Sequence, residues 1–161
     1  MHSASVQLFA KMFENMIGWL DKAQAHAETR NFDPALFLQM RLAPDMLPLV
    51  EQVQLATDTA TTWMSRLTGV EMKEWEHNEM TLDEVRARVR RTTEDLRSRD
   101  PESINGSEER EIVHPHRFGE LRIDGENYLK LVTANLFFHV TMVYALLRHG
   151  GVELGKGDYL G

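Results

Sequence analysis

The sequence has 161 residues, no cysteine and a formal net charge of −7. Without cysteine the chain has no disulfide framework, thiolate nucleophile or cysteine metal site, which agrees with a reducing cytoplasm. The acidic charge disfavours nucleic acid as a partner, and charged residues interrupt the apolar stretches that a membrane span would need. We therefore expect a soluble, cytoplasmic protein that binds neither nucleic acid nor membrane.

The first two predicted helices carry apolar stripes at three- and four-residue steps. The first covers residues 5–29, and Asp33 followed by Pro34 predicts a short helical turn after it. The second starts near Asp45, with Pro48 in its first turn, and ends at Gly69.

The third helix has the clearest start signal, a capping box of Thr81 and Glu84, and it ends at Asp100. Two short extended pieces, residues 112–113 and 121–123, then predict a small irregular β-hairpin. The fourth helix, over residues 125–149, is apolar almost all round and is expected to be the most buried. The tail is expected to pack back on the helices through Val152, Leu154, Tyr159 and Leu160. These elements predict a single all-α domain over residues 1–161, folded as a four-helix bundle.

His139 is the main candidate for chemistry, because it lies in the most apolar segment of the fourth helix. A buried imidazole requires hydrogen-bond partners, and either a metal site or a core histidine paired with a polar neighbour would supply them. A helical metal site would place its next ligand four residues on, where the chain has Val143. Asn135, one turn before His139, could line a ligand pocket. Tyr128 could do so too, in the aromatic cluster with Phe137, Phe138 and Tyr144, although aromatic residues at helical spacing are more often part of the core.

Other polar residues carry weaker signals. Gln52, Gln54, Asp58 and Thr59 could face His139 across the bundle, although such residues usually lie at the solvent edge of a helix. The charged run of residues 83–100 mixes arginines with carboxylates, which is typical of a solvated helix face. His114 and His116 lie two residues apart, a spacing found in some metal sites, and His77 is a further loop histidine. Without a third ligand nearby, we expect these histidines to lie in exposed loops.

Three stretches together resemble a known family. They are RLAPDMLPL leading into QVQLATDTA at residues 41–60, FHVT with YALLRH at residues 138–149, and the tail GVELGK with DYLG. The chain resembles, over essentially its whole length, an uncharacterised bacterial family in the DinB/YfiT-like superfamily of metalloenzymes.

The resemblance implies an up-down-down-up four-helix bundle, often a homodimer. In the superfamily three histidines bind a divalent metal such as nickel or zinc, and some members transfer or hydrolyse small thiol conjugates. By position, His139 matches the first histidine of the pair on the last helix, Val143 replaces the second, and Gln52 stands near the second-helix ligand.

Two functions follow as hypotheses. The first is a non-catalytic bundle that binds a small molecule or a partner in a cavity lined by Gln52, Tyr128, Asn135 and His139. The alternative is a divalent-metal-dependent transferase or hydrolase, with His139 as a metal ligand and loop histidines as further ligands.

Overall fold

Helices make up most of the fold, and a small two-stranded antiparallel sheet interrupts them. The structure, a computed structural model, describes residues 2–71, 75–116 and 119–161; the side chains of His2, Ser3, Pro101 and His116 lie outside that description. The elements are α1 (His2–Arg30), a 3₁₀ helix (Pro34–Gln39), α2 (Leu49–Thr68), α3 (Leu82–Ser98), α4 (Pro101–Ile104), β1 (Glu111–His116), β2 (Gly119–Asp124), α5 (Gly125–His149) and α6 (Lys156–Leu160).

Local capping fixes several of these boundaries as the sequence predicts. Asp33 caps the 3₁₀ helix by accepting from the Ala35 amide at 2.9 Å. Thr81 and Glu84 form the reciprocal capping box that starts α3. Gly69 ends α2 in the left-handed region, with φ of 73°, where a side chain would be strained.

The start of α2 corrects the prediction. The helix begins at Leu49, and Pro48 is its N-cap instead of a residue in its first turn. A proline disfavours helical backbone in the residue before it, so Leu47 cannot continue a helix into Pro48. Asp45, the expected start, lies in a turn.

The predicted hairpin is present, and it is regular and longer than expected. Glu111 pairs with Asp124 and His116 pairs with Gly119, so the register is continuous across both strands. The chain passes from β2 directly into α5, whose start is capped by Asp124. A side chain at Gly125 would place its Cβ 2.0 Å from the Ser107 carbonyl oxygen, which explains the glycine at this junction.

The core lies between the four long helices, with α1 packed mainly on α3 and α2 mainly on α5. The expectation that α5 is the most buried helix is wrong. Leu131 and Phe138 on α5 are 42% and 49% exposed, whereas Leu49, Val53, Ala60 and Trp63 on α2 are fully buried. An apolar sequence shows that a helix can be buried on every side, but the neighbouring elements determine which sides are covered.

Among the described residues, α5 is the one helix that is long and apolar enough to cross a membrane. The mean hydropathy of its most apolar window is 1.4, and 39% of that window is buried. The uncharged run between Lys130 and Arg148 is therefore longer than the sequence interpretation allowed. Length and composition alone do not distinguish a membrane span from a helix of a soluble core.

The C-terminal tail packs on α1 and α5, as expected for Val152 and Leu154, which are 0% and 4% exposed. Its short helix α6, which was not predicted, is held by Trp19, whose indole Nε1 donates to the Asp158 carbonyl at 2.8 Å. Leu160 corrects the expectation of burial, because it is 61% exposed.

Candidate functional site

A row of three polar pairs crosses the apolar contact between α2 and α5, and we call it the α2–α5 seam. The pairs are Gln52 with His139, Thr59 with Asn135, and Arg66 with Tyr128. Residue numbers rise along α2 while those of their partners fall along α5, so the two helices run in opposite directions. On α2 the three residues are spaced by seven, which returns them to the same face of the helix.

Gln52 and His139 meet directly, with Gln52 Oε1 at 2.8 Å from His139 Nδ1. The Gln52 amide nitrogen donates to the Leu47 carbonyl at 3.3 Å, which orients the amide and leaves its oxygen facing the imidazole. An amide oxygen accepts a hydrogen bond, so Nδ1 carries the proton and Nε2 of the neutral ring keeps its lone pair.

Both residues of this pair are buried, since Gln52 is 2% and His139 is 8% exposed. Burial lowers the pKa of His139 below its ordinary value of 6.5, because an imidazolium loses solvation inside the protein. His139 is therefore neutral near pH 7.

The expectation that glutamines of α2 meet solvent is wrong, because Gln54 is also buried, at 5% exposed.

A cavity of about 430 Å³ opens beside the other two pairs of the seam, and we call it the α2–α5 cavity. Tyr128 and Asn135 line it, whereas Gln52 and His139 are not among its lining residues. The walls are formed by Leu55, Asp58, Thr59, Thr62, Arg66, His114, Leu121, Tyr128, Leu131, Val132 and Asn135.

Arg66 marks one end of this cavity. Its Nη1 donates to Tyr128 Oη at 2.8 Å and to His114 Nδ1 on β1. Its guanidinium also lies 5.7 Å from the centre of the Tyr128 ring. No described carboxylate forms an ion pair with Arg66, so a half-buried positive charge faces the cavity without a counter-charge. Burial raises the pKa of Tyr128, and the nearby Arg66 lowers it in part.

Asp58 lies on the cavity wall two helical turns before Arg66, and it belongs to a buried cluster around Arg88. Arg88 is 0% exposed and donates to Thr57 Oγ1 at 2.7 Å, to Glu79 Oε1 at 2.9 Å and to Asp58. Burial acts to raise the pKa of Glu79, but hydrogen bonds from Gln54 and Arg88 outweigh it and leave that pKa below 4.5.

This cluster corrects the interpretation of residues 83–100 as a solvated face. Arg88 lies three residues after Val85 and four before Thr92, and both of these are buried. That spacing places Arg88 on the inner side of α3, where Asp58 and Glu79 compensate its charge.

The described residues do not fit the divalent metal that the resemblance implies. Among them, no group of three histidine, cysteine, aspartate or glutamate side chains could hold a metal ion. Gln52 occupies Nδ1 of His139, and Val143, one turn further, is a fully buried apolar residue. Zinc sites in proteins use three or more ligands, whereas this position supplies one imidazole nitrogen.

The loop histidines do not complete such a site among the described residues. His114 contacts Arg66, and His77 Nε2 bonds Asp58 Oδ2 at 2.7 Å. His114 lies in β1 at the cavity wall, which corrects the expectation of an exposed loop. The side chain of His116 lies outside the described residues.

Arg66 and Arg88 are the site residues that sequence reasoning missed. The seven-residue spacing of Gln52, Thr59 and Arg66 was a usable signal for the first. Arg88 could have been found from its position between inward-facing residues of α3.

A second, open groove of about 760 Å³ lies between α1 and the tail, and its lining includes Lys22, Arg30 and Arg148. Lys22 is paired with Asp158 at 2.7 Å. Arg30 and Arg148 lie in the last turns of α1 and α5, where a cation complements the helix dipole. Arg66 also lies in the last turn of its helix, α2, but it is half-buried at the cavity wall, whereas Arg30 and Arg148 are exposed.

Comparisons with known proteins agree with the resemblance. The family model described as a domain of unknown function, DUF1993, matches residues 1–160. A DinB family member from Shewanella denitrificans, solved by crystallography, is 36% identical, with a TM-score of 0.90 over 97% of this chain and 89% of that chain. Curated proteins gave no match. The chain therefore belongs to the DUF1993 family and is a DinB-like domain.

Proposed function

We propose that this protein binds a small anionic molecule with an apolar body in the α2–α5 cavity. The anionic group of the ligand binds Arg66, and the apolar body lies along Leu55, Leu131 and Val132. The protein acts in this proposal as a binding protein, with no catalytic step assigned.

The observation that supports the proposal is the uncompensated charge of Arg66. A half-buried guanidinium with no carboxylate partner loses solvation without an ion pair to offset the loss, and a bound anion would supply that partner. Arg66 is also held in place by Tyr128 and His114, so little side-chain entropy remains to be lost on binding.

The size and lining of the cavity agree with a small ligand. A volume of about 430 Å³ lies within the range of small-molecule sites in proteins, which are mostly apolar with a few fixed polar groups. Thr59 and Asn135 supply such groups between the apolar walls, although they already bond each other at 2.9 Å.

Calorimetric titration with caproate and with the neutral hexyl alcohol tests the proposal. We expect caproate to bind and the alcohol to bind more weakly, because only the carboxylate can pair with Arg66. Arg66→Gln should weaken caproate binding about tenfold or more, the equivalent of one hydrogen bond to a charged group.

Two further variants make this test specific. Arg97→Gln is the matched control, since Arg97 is 58% exposed and pairs with Glu14 on the surface; its affinity should stay unchanged. Leu131→Trp fills the cavity and leaves Arg66 in place, and it should also abolish binding. Equal affinity of caproate for the wild type and Arg66→Gln would contradict the proposal.

The metal-dependent transferase or hydrolase stays as the alternative, without a ligand set among the described residues to support it. Elemental analysis of untagged protein beside His139→Ala separates the two functions. One equivalent of nickel, zinc or another divalent metal, lost in the variant, would favour the enzyme. We expect the two proteins to have the same metal content.

We also propose the up-down-down-up order of the four long helices and a homodimer, both of which the family resemblance implies. A cytoplasmic location, expected from the absence of cysteine, is proposed with them. The exposed apolar side chain of Phe138 on α5 supports a self-association surface. Light scattering should give twice the mass of the chain, and Phe138→Ser should shift it towards the monomer.

A further inference from the structure

The two ends of the α2–α5 cavity differ in charge. Arg66 and Asp58 both line it, and both project from α2. They are eight residues apart, which is about 12 Å along a helix axis. One ligand can therefore reach both side chains if a chain of several bonds joins its carboxylate to a second polar group.

The Asp58 end carries a net negative charge. A single cation there, Arg88, faces two carboxylates, those of Asp58 and Glu79. Arg88 can balance only one of these two carboxylate charges, and the opposite end of the cavity is positive. His77 Nε2 is the other partner of Asp58, at 2.7 Å.

Asp58 is the member of this cluster that a ligand can reach. Its side chain is 31% exposed, whereas those of Arg88 and Glu79 are 0% and 3% exposed. Arg88 occupies one carboxylate oxygen and His77 the other, and each oxygen can accept a second hydrogen bond. Asp58 is also held in place by these two contacts, so it presents a fixed acceptor to the cavity.

We propose that the ligand of the α2–α5 cavity is a zwitterion of the ω-amino acid class, with its carboxylate on Arg66 and its ammonium on Asp58. The inference rests on the proposed function for the carboxylate and adds the amino group. The methylene chain between the charges lies along the apolar walls, and the separation of Arg66 and Asp58 selects its length.

Titrations of the wild-type protein with ligands of matched length test this inference. The probes are ε-aminocaproate, caproate and hexylamine, together with the shorter γ-aminobutyrate and butyrate. We expect an ω-amino acid to bind about tenfold tighter than the carboxylate of equal length, the gain of one hydrogen bond between charged groups. The gain should depend on chain length, because one length fits the two charges.

The outcomes separate the two proposals. One outcome is that caproate binds, while ε-aminocaproate binds no tighter than caproate and γ-aminobutyrate no tighter than butyrate. The zwitterion proposal would then be wrong, and the proposed anion site would stand. If no carboxylate binds, both proposals fall. Asp58→Asn should remove the preference for the amino acid and keep caproate binding. That substitution also removes an ion pair of Arg88, so the comparison of ligands on the wild type decides.

Discussion

Gln52 determines which ring nitrogen of His139 carries the proton, so the two residues act as a pair. The amide oxygen of Gln52 keeps the proton on Nδ1, and burial keeps the ring neutral. In metal sites the ring nitrogen of a histidine ligand that does not bind the metal commonly donates a hydrogen bond to such an acceptor. Gln52 thus has the place of a supporting residue, and the other ligands that a metal needs are missing among the described residues.

Removing Gln52 should destabilise the protein through His139. Gln52→Leu leaves the Nδ1 proton of a buried imidazole without an acceptor, which costs about 1–3 kcal/mol. Urea unfolding measures this loss. The double variant Gln52→Leu/His139→Leu removes both polar groups and should recover part of the stability. A double variant destabilised by the full sum of the two single changes, or by more, would show that the pair is not coupled in this way.

The lowered pKa of His139 predicts a pH dependence of stability. The unfolded chain binds a proton at this residue more readily than the folded protein, so protonation favours unfolding. The stabilising contribution is complete above 6.5, the ordinary pKa, and is lost as the pH falls below 6.5 towards the folded-state pKa. Urea unfolding of the wild type and of His139→Asn, from about pH 8 to about pH 5, measures the contribution of His139 to the free energy of unfolding. Parallel profiles for the two proteins would refute the assignment.

At the scale of elements, α2 carries polar contacts on two sides. One side forms the α2–α5 seam, and the other forms the cluster in which Thr57 and Asp58 bind Arg88 of α3. Glu79, in the segment before α3, completes the cluster at 2.9 Å. The same helix thus joins the wall of the cavity to the packing of α3.

Arg88→Met should cost the fold about 3–5 kcal/mol, the usual effect of breaking a buried ion pair by removing one partner. The side chain of Glu79, which is 3% exposed, would then be a buried carboxylate without its cation. Thermal unfolding measures the effect. Arg97→Met is the control, because Arg97 is 58% exposed, and exposed ion pairs contribute about 1 kcal/mol at most. Similar losses in both variants would contradict the buried role of Arg88.

The elements could be predicted where the signal is local. Thr81 with Glu84, Asp33 with Pro34, and Gly69 act through neighbouring residues, and the structure has their boundaries as expected. The burial of α5 and of Arg88 could not be predicted in the same way. Exposure of Phe138 and compensation of Arg88 both depend on which distant segments pack against them.

At the scale of the whole molecule, the family and the helical fold followed from the sequence, while the site followed only in part. His139, Gln52, Asn135 and Tyr128 were candidates from sequence, and the structure places them along one seam. It separates them into a buried pair, Gln52 with His139, and two residues of the cavity wall, Asn135 and Tyr128. The cavity charge comes from Arg66, which no motif marks.

The proposed anion site lies at Arg66, in a protein whose net charge is −7. The second groove, with Lys22, Arg30 and Arg148, is the competing location for an anion. Binding strength alone does not distinguish the two places, so the location of the ligand has to be measured.

An NMR titration of labelled protein with caproate measures that location most directly. We expect the backbone amide shifts to concentrate at Thr59, Arg66, His114 and Asn135, and to disappear in Arg66→Gln. Shifts confined to residues around Lys22 and Arg148, or shifts that persist in Arg66→Gln, would contradict this expectation.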